Sequence, residues 1–116
     1  MKNIDDYGQF TSDMWFSGKR PEGTPLFTPD QERELAIMAL GLAGENGEVL
    51  EHIKKVIRDN HLDRDELKKE LGDAVFYWAR LCIFFGFEPS EVLSANKEKL
   101  ESRRARGVLR GDGDNR

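Results

Sequence analysis

The chain has 116 residues, 38% hydrophobic and 34% charged, with a formal net charge of −4 at pH 7, which supports one small domain whose core is modest for its surface and gains from assembly. The acidic balance offers no general attraction to nucleic acid or to an anionic membrane. One cysteine, Cys82, makes neither a disulfide framework nor a Cys-rich zinc site, and without a leader-like opening or a run of roughly 18 apolar residues the expectation is a cytoplasmic protein with no membrane partner.

In chain order, Tyr7, Phe10, Met14, Trp15 and Phe16 recur at helical spacings and predict a short amphipathic helix from about Asp5 to Phe16. Gly18, Pro21, Gly23 and Pro25 then break the chain into a loop. These aromatics have two readings: packing against the rest of the domain, or, for Trp15 and Phe16, stacking on the planar ring of a bound base.

The next helix has a marked start, with Thr28 as cap, Pro29 at the first helical position and Gln31 completing a capping box. It runs to about Asp59 or Asn60, with Leu35, Met38, Leu42, Val49, Ile53 and Val56 as its apolar stripe. Gly41, Gly44 and Gly47 each cost a helix about 1 kcal/mol relative to Ala, so either the backbone is approached closely there or the helix is kinked. Asn60, His61 and Leu62 make a turn, and Asp63 with Glu66 three residues on caps a third helix running to about Phe85. Its stripe is Leu67, Leu71, Ala74, Trp78, Leu81 and Phe85, and Cys82 is expected to be a small buried hydrophobe. Gly86 ends this helix and Pro89 opens a fourth through about Arg104, with Val92, Leu93, Ala95, Asn96 and Leu100 on one face. The glycine-rich residues 105–116 are expected to form a flexible end, or a lid that orders on substrate.

Chemistry concentrates in two short motifs, Glu45-Asn46-Gly47-Glu48 and Glu70-Leu71-Gly72-Asp73. Three-residue spacing places two carboxylates on one helical face, and the two pairs have nearly the same angular offset from their apolar stripes. Antiparallel packing of the two helices therefore brings four carboxylates near one another, a set suited to a hard cation such as Mg²⁺ or Mn²⁺. Without a cation, two charges 4 Å apart repel by about 1 kcal/mol in water and about 4 kcal/mol at an effective dielectric of 20. The alternative is that each pair is a solvated helix face. His52 follows Glu48 by one turn, but a di-iron bundle needs Glu-x-x-His on two helices, so His52 and His61 read as surface or boundary residues.

The run Gly41 to Val49, then Lys54-Lys55, then Glu70 to Tyr77 resembles the MazG-like all-α nucleoside triphosphate pyrophosphohydrolases, in which ExxE is followed some twenty residues later by ExxD. Asn96 to Arg103 is similar to the family's NxxKLxxR segment, and Arg106 to Arg116 to the tail of its short single-domain members. The likeness covers roughly residues 35 to 116 and leaves the first 27 unmatched; length points to one domain over 1–116, with 1–27 as an N-terminal helix and loop. The likeness implies an all-α helical bundle whose two long antiparallel helices carry ExxE and ExxD, completed by a partner subunit in a homodimer or homotetramer.

The resemblance further implies that Glu45, Glu48, Glu70 and Asp73 hold Mg²⁺, with Mn²⁺ as a substitute, while Asn96, Lys99 and Arg103 steady a triphosphate. Lys55 and Trp15 are added to the substrate-binding expectation. The implied reaction is attack of a metal-activated water on the α-phosphorus of a nucleoside or deoxynucleoside triphosphate, giving the monophosphate and pyrophosphate. Where some relatives carry a lysine one turn before the third acid, this chain has Glu66. Two other classes compete: a nucleic-acid binder using Arg103, Arg104, Arg106, Arg110 and Arg116, which the acidic remainder opposes, and a non-catalytic nucleotide-binding or regulatory module.

Overall fold

The computed structural model describes residues 3–15 and 22–116, and these form four helices and no strand: α1 (Ile4–Met14), α2 (Pro29–Asp59), α3 (Arg64–Phe84) and α4 (Pro89–Ala105). Phe16, Gly18 and Pro21, on which the expected end of the first helix and part of its loop fell, lie outside the described residues. The all-α architecture agrees with the sequence reading.

Local chemistry sets the helix ends. The Asn3 side chain accepts from the backbone N–H groups of Asp5 and Asp6 at the start of α1. Thr28 Oγ1 accepts from Gln31 N at 3.2 Å while Gln31 Oε1 accepts from Thr28 N at 2.9 Å, a complete capping box. Asn60 closes α2 in the left-handed conformation at φ 49°, which Asn tolerates better than most residues. Asp63 Oδ1 then accepts from Glu66 N at 3.0 Å and starts α3. At the far end Gly86 adopts φ 79°, and the N–H groups of Gly86 and Phe87 reach back to Ile83 and Cys82 carbonyls, a Schellman close.

Helix packing among the described residues is confined to α2 with α3 and α3 with α4. Three- and four-residue steps run through both seams of the α2–α3 hairpin, from Leu35 to Val56 on α2 and from Leu67 to Phe84 on α3. On α2 the half-buried or buried positions are Glu32, Leu35, Met38, Gly41, Leu42, Glu45, Val49, His52 and Val56; on α3 they include Leu67, Glu70, Ala74, Tyr77, Leu81 and Phe84. Two polar residues thus occupy steps of the α2 seam and one occupies the α3 seam. This corrects the expected stripes: Ile53 is 42% exposed because His52 takes its place, and Leu71 and Phe85 are 50% and 48% exposed because α3 is turned to present Glu70 and Phe84. Cys82 is buried as expected and carries a free thiol. Phe27 seals the open end of the hairpin, its ring 5.2 Å from that of Phe84 and 6.0 Å from that of Phe85.

Of the three glycines expected to admit a close neighbour, one does so. A Cβ at Gly41 would fall on the Tyr77 ring, whereas among the described residues nothing beyond the helix's own adjoining backbone comes within 4 Å of the Cβ position at Gly44 or Gly47. Gly41→Ala is therefore expected to lower stability in urea denaturation by about 1–3 kcal/mol, the usual cost of overpacking. Gly44→Ala should raise it by up to about 1 kcal/mol through helix propensity. A loss at Gly44 would instead mark a neighbouring chain against that backbone.

The chain leaves much apolar surface open. Met38 and Cys82 are the buried hydrophobic side chains among the described residues, while Val75, Phe76, Leu40, Leu50 and Ile57 are all exposed. The Cα radius of gyration is 20.1 Å, against about 13 Å for a compact chain of this length. Tyr7, Phe10 and Met14 on α1 are exposed too, so the expected packing of these aromatics is not made within one chain. No helix among the described residues is long and apolar enough to cross a membrane.

Candidate metal and nucleotide site

The contacts of Gly41 with Tyr77 and of His52 with Glu70 fix the antiparallel register of the hairpin. In that register Glu45 and Glu48 run along α2 level with Asp73 and Glu70 on α3. Glu45 and Glu70 are half-buried in the seam, and Glu48 and Asp73 are exposed at its edge.

Near the α2–α3 turn lies a cleft of about 200 Å³ lined by Glu48, Glu51, His52, Lys55, His61, Asp63, Glu66 and Glu70. It gathers Glu48, Glu70 and Lys55 of the expected site; Glu45, Asp73, Asn96, Lys99, Arg103 and Trp15 are not among its lining residues. Its charge is mostly negative, with Lys55 as the cation, and such a surface accepts an anionic substrate only with help from a metal.

The electrostatic centre of the cleft is Glu70. Its Oε2 is buried and accepts no hydrogen bond, although His52 Nδ1 stands 2.9 Å away. A desolvated carboxylate oxygen without an aligned donor costs free energy on the order of 1–3 kcal/mol, more when charged. That orphaned oxygen fits the role of a cation ligand, since a cation supplies the missing partner. His52, whose side chain is 9% exposed, was expected at the surface or boundary; its phase, three residues after Val49 and four before Val56, was the available signal that it enters the seam.

A second cluster lies at the end of α4. Arg103, 3% exposed, donates from Nη2 to the backbone oxygen of Asp114 at 2.7 Å, with Gly113 O and Asp114 Oδ1 each 3.4 Å away. Lys99 Nζ lies 3.3 Å from the same Asp114 Oδ1. Lys99 first, and Arg103 after it, hold the Asp114 carboxyl below its ordinary value. The ion pairs of Lys99 and Arg103 with the carboxylate are present at neutral pH and are lost as acid protonates Asp114 below the usual carboxylate range, while the Arg103 hydrogen bonds to backbone oxygens remain. Arg116 adds hydrogen bonds to the carbonyls of Val108, Leu109 and Gly113. The sequence reading named Lys99 and Arg103 as phosphate contacts and did not anticipate that Asp114 engages both.

Comparison with known families bears on this site directly. The family described as the MazG nucleotide pyrophosphohydrolase domain matches residues 33–108, a span that begins in the first turns of α2 and includes both acidic motifs and all of α4. The chain belongs to this family. The Gene 37 protein of Mycobacterium phage L5 is 40% identical to it over 92 residues, covering 75% of this chain and 81% of that protein. No solved structure matches the chain. Membership places the chain in a nucleotide-handling family, and its structure brings one ligand atom each of His52, Glu66 and Glu70 within 4.8 Å of one another.

Proposed function

We propose that the protein hydrolyses nucleoside or deoxynucleoside triphosphates to the monophosphate and pyrophosphate in a Mg²⁺-dependent reaction. The observation that carries this reading is the MazG match over residues 33–108, joined to the placement of Glu48, Glu70 and Lys55 around one cleft. Glu45, Glu48, Glu70 and Asp73 would hold the metal. When bound, Mg²⁺ neutralises phosphate charge and makes water a nucleophile near neutral pH.

The chain's own groups do the remaining work. The rigid α2–α3 hairpin holds the carboxylates in place without reorganisation, and Lys55 offers a positive charge at the rim. Asn96, Lys99 and Arg103 share one face of α4 at three- and four-residue steps, a spacing that can grip successive phosphates. We also propose that the exposed apolar faces of α2 and α3 are covered in a homodimer or homotetramer, which would bring α4 of one chain and the cleft of another into one site.

Incubation with each of the eight common ribo- and deoxyribonucleoside triphosphates and Mg²⁺, followed by chromatography, tests the reaction. Monophosphate with pyrophosphate is the expected product pair from at least one substrate. Diphosphate with orthophosphate, or no turnover of any of the eight, would overturn it.

A further inference from the structure

The MazG reading assigns Glu70 to a set of carboxylates, but the structure gives it a different pair of near neighbours. One ligand atom each from His52, Glu66 and Glu70 lies within 4.8 Å of the others, and among the described residues this is the group so arranged. We propose that His52, Glu66 and Glu70 form a divalent metal site with one nitrogen and two carboxylate ligands, suited to a first-row transition ion such as Mn²⁺ or Co²⁺ rather than to Mg²⁺.

Three observations carry this beyond a chance meeting of acids. The His52 side chain is nine-tenths buried, and its Nδ1 lies 2.9 Å from Glu70 Oε2. That oxygen is buried and receives no aligned hydrogen bond; the imidazole pairs with it as an ion only when protonated, and its neutral form leaves both atoms open to a cation. Two ligand atoms each about 2.1 Å from a six-coordinate ion, at right angles to one another, lie about 3.0 Å apart. The spacing of His52 Nδ1 and Glu70 Oε2 is therefore that of neighbouring ligands on an octahedral ion.

Local structure supports the third ligand and the open positions. Glu66 stands in the first turn of α3, where its backbone N–H is held by Asp63. The cleft lined by all three residues also takes in Glu48 and Lys55, leaving room for water or a phosphate oxygen to complete the coordination. An imidazole ligand favours later first-row ions, because Mg²⁺ keeps to oxygen donors. Glu70 belongs to both this set and the proposed hydrolytic set, as a bridging carboxylate can, but the nitrogen-bearing site does not require turnover.

The test uses Mn²⁺ as the paramagnetic probe on the intact chain, with excess Mg²⁺ to occupy oxygen-only sites, and follows binding by electron paramagnetic resonance. Nitrogen modulation of the bound Mn²⁺ signal is the direct readout of imidazole ligation. The chain has two histidines, so His52→Gln should abolish the modulation and His61→Gln should retain it. Both His52→Gln and Glu66→Gln should weaken Mn²⁺ binding about tenfold or more; Glu66 is exposed, so its variant keeps the test valid if the histidine variant fails to fold. No Mn²⁺ binding, bound Mn²⁺ without nitrogen modulation, modulation that survives His52→Gln, or unchanged affinity in Glu66→Gln would each overturn the site. Nitrogen modulation in a protein that cleaves none of the triphosphates would sink only the hydrolytic reading, and cleavage without modulation only this one.

Discussion

Glu70→Gln is expected to lower kcat/KM for pyrophosphate release by about 10²–10³-fold while leaving the helical fold intact. The substitution keeps the side chain's shape but removes the charge from the buried oxygen at the centre of the cleft. Metal polarisation of a phosphoryl group is worth several kcal/mol, and each 1.36 kcal/mol is tenfold in rate. Stability should hold, because the amide keeps the side chain's shape at an oxygen that receives no aligned hydrogen bond. Pyrophosphate release and thermal melting by circular dichroism measure the two quantities on one preparation. Activity within about threefold of the parent would remove Glu70 from the reaction.

The second large effect concerns assembly. If copies of the chain cover the exposed faces of α2 and α3, the melting temperature must depend on protein concentration by mass action. For a dimer that unfolds to separate chains, tenfold dilution removes about 1.4 kcal/mol of stability, which shifts Tm by about 2–4 °C for a unit of two such chains. Scanning over a hundredfold dilution series doubles that shift. A Tm unchanged across the series would mean that each chain unfolds independently of any partner, despite a radius of gyration of 20.1 Å.

The helix ends were legible because local chemistry sets them: Thr28, Asp63, Gly86 and Pro89 act at the positions their side chains predict, and the bounds agree to about a residue. The face of α3 was harder to read. Leu67, Leu71, Ala74, Val75, Trp78 and Leu81 are apolar on more than one side, so hydrophobicity alone does not tell which side meets α2. Glu45, His52 and Glu70 hold steps in the seam, yet a stripe traced by apolar residues skips them; a strict three-four alternation would have placed them there. Arg103 was read as a phosphate contact, and its burial under residues 113 and 114, which fold back over α4, is a long-range contact with no local signal.

That fold-back bears on ionic strength. Lys99 and Arg103 already share the carboxylate of Asp114, so a phosphate reaching them exchanges one anion for another. Two bare cations on α4 would lose affinity steeply with added salt. Here salt loosens the departing carboxylate as well as the arriving phosphate, and the two effects oppose each other. If the proposed phosphate contact is made at α4, its affinity is thereby buffered against changes in ionic strength, and what discriminates among anions is how well each outcompetes the Asp114 carboxylate.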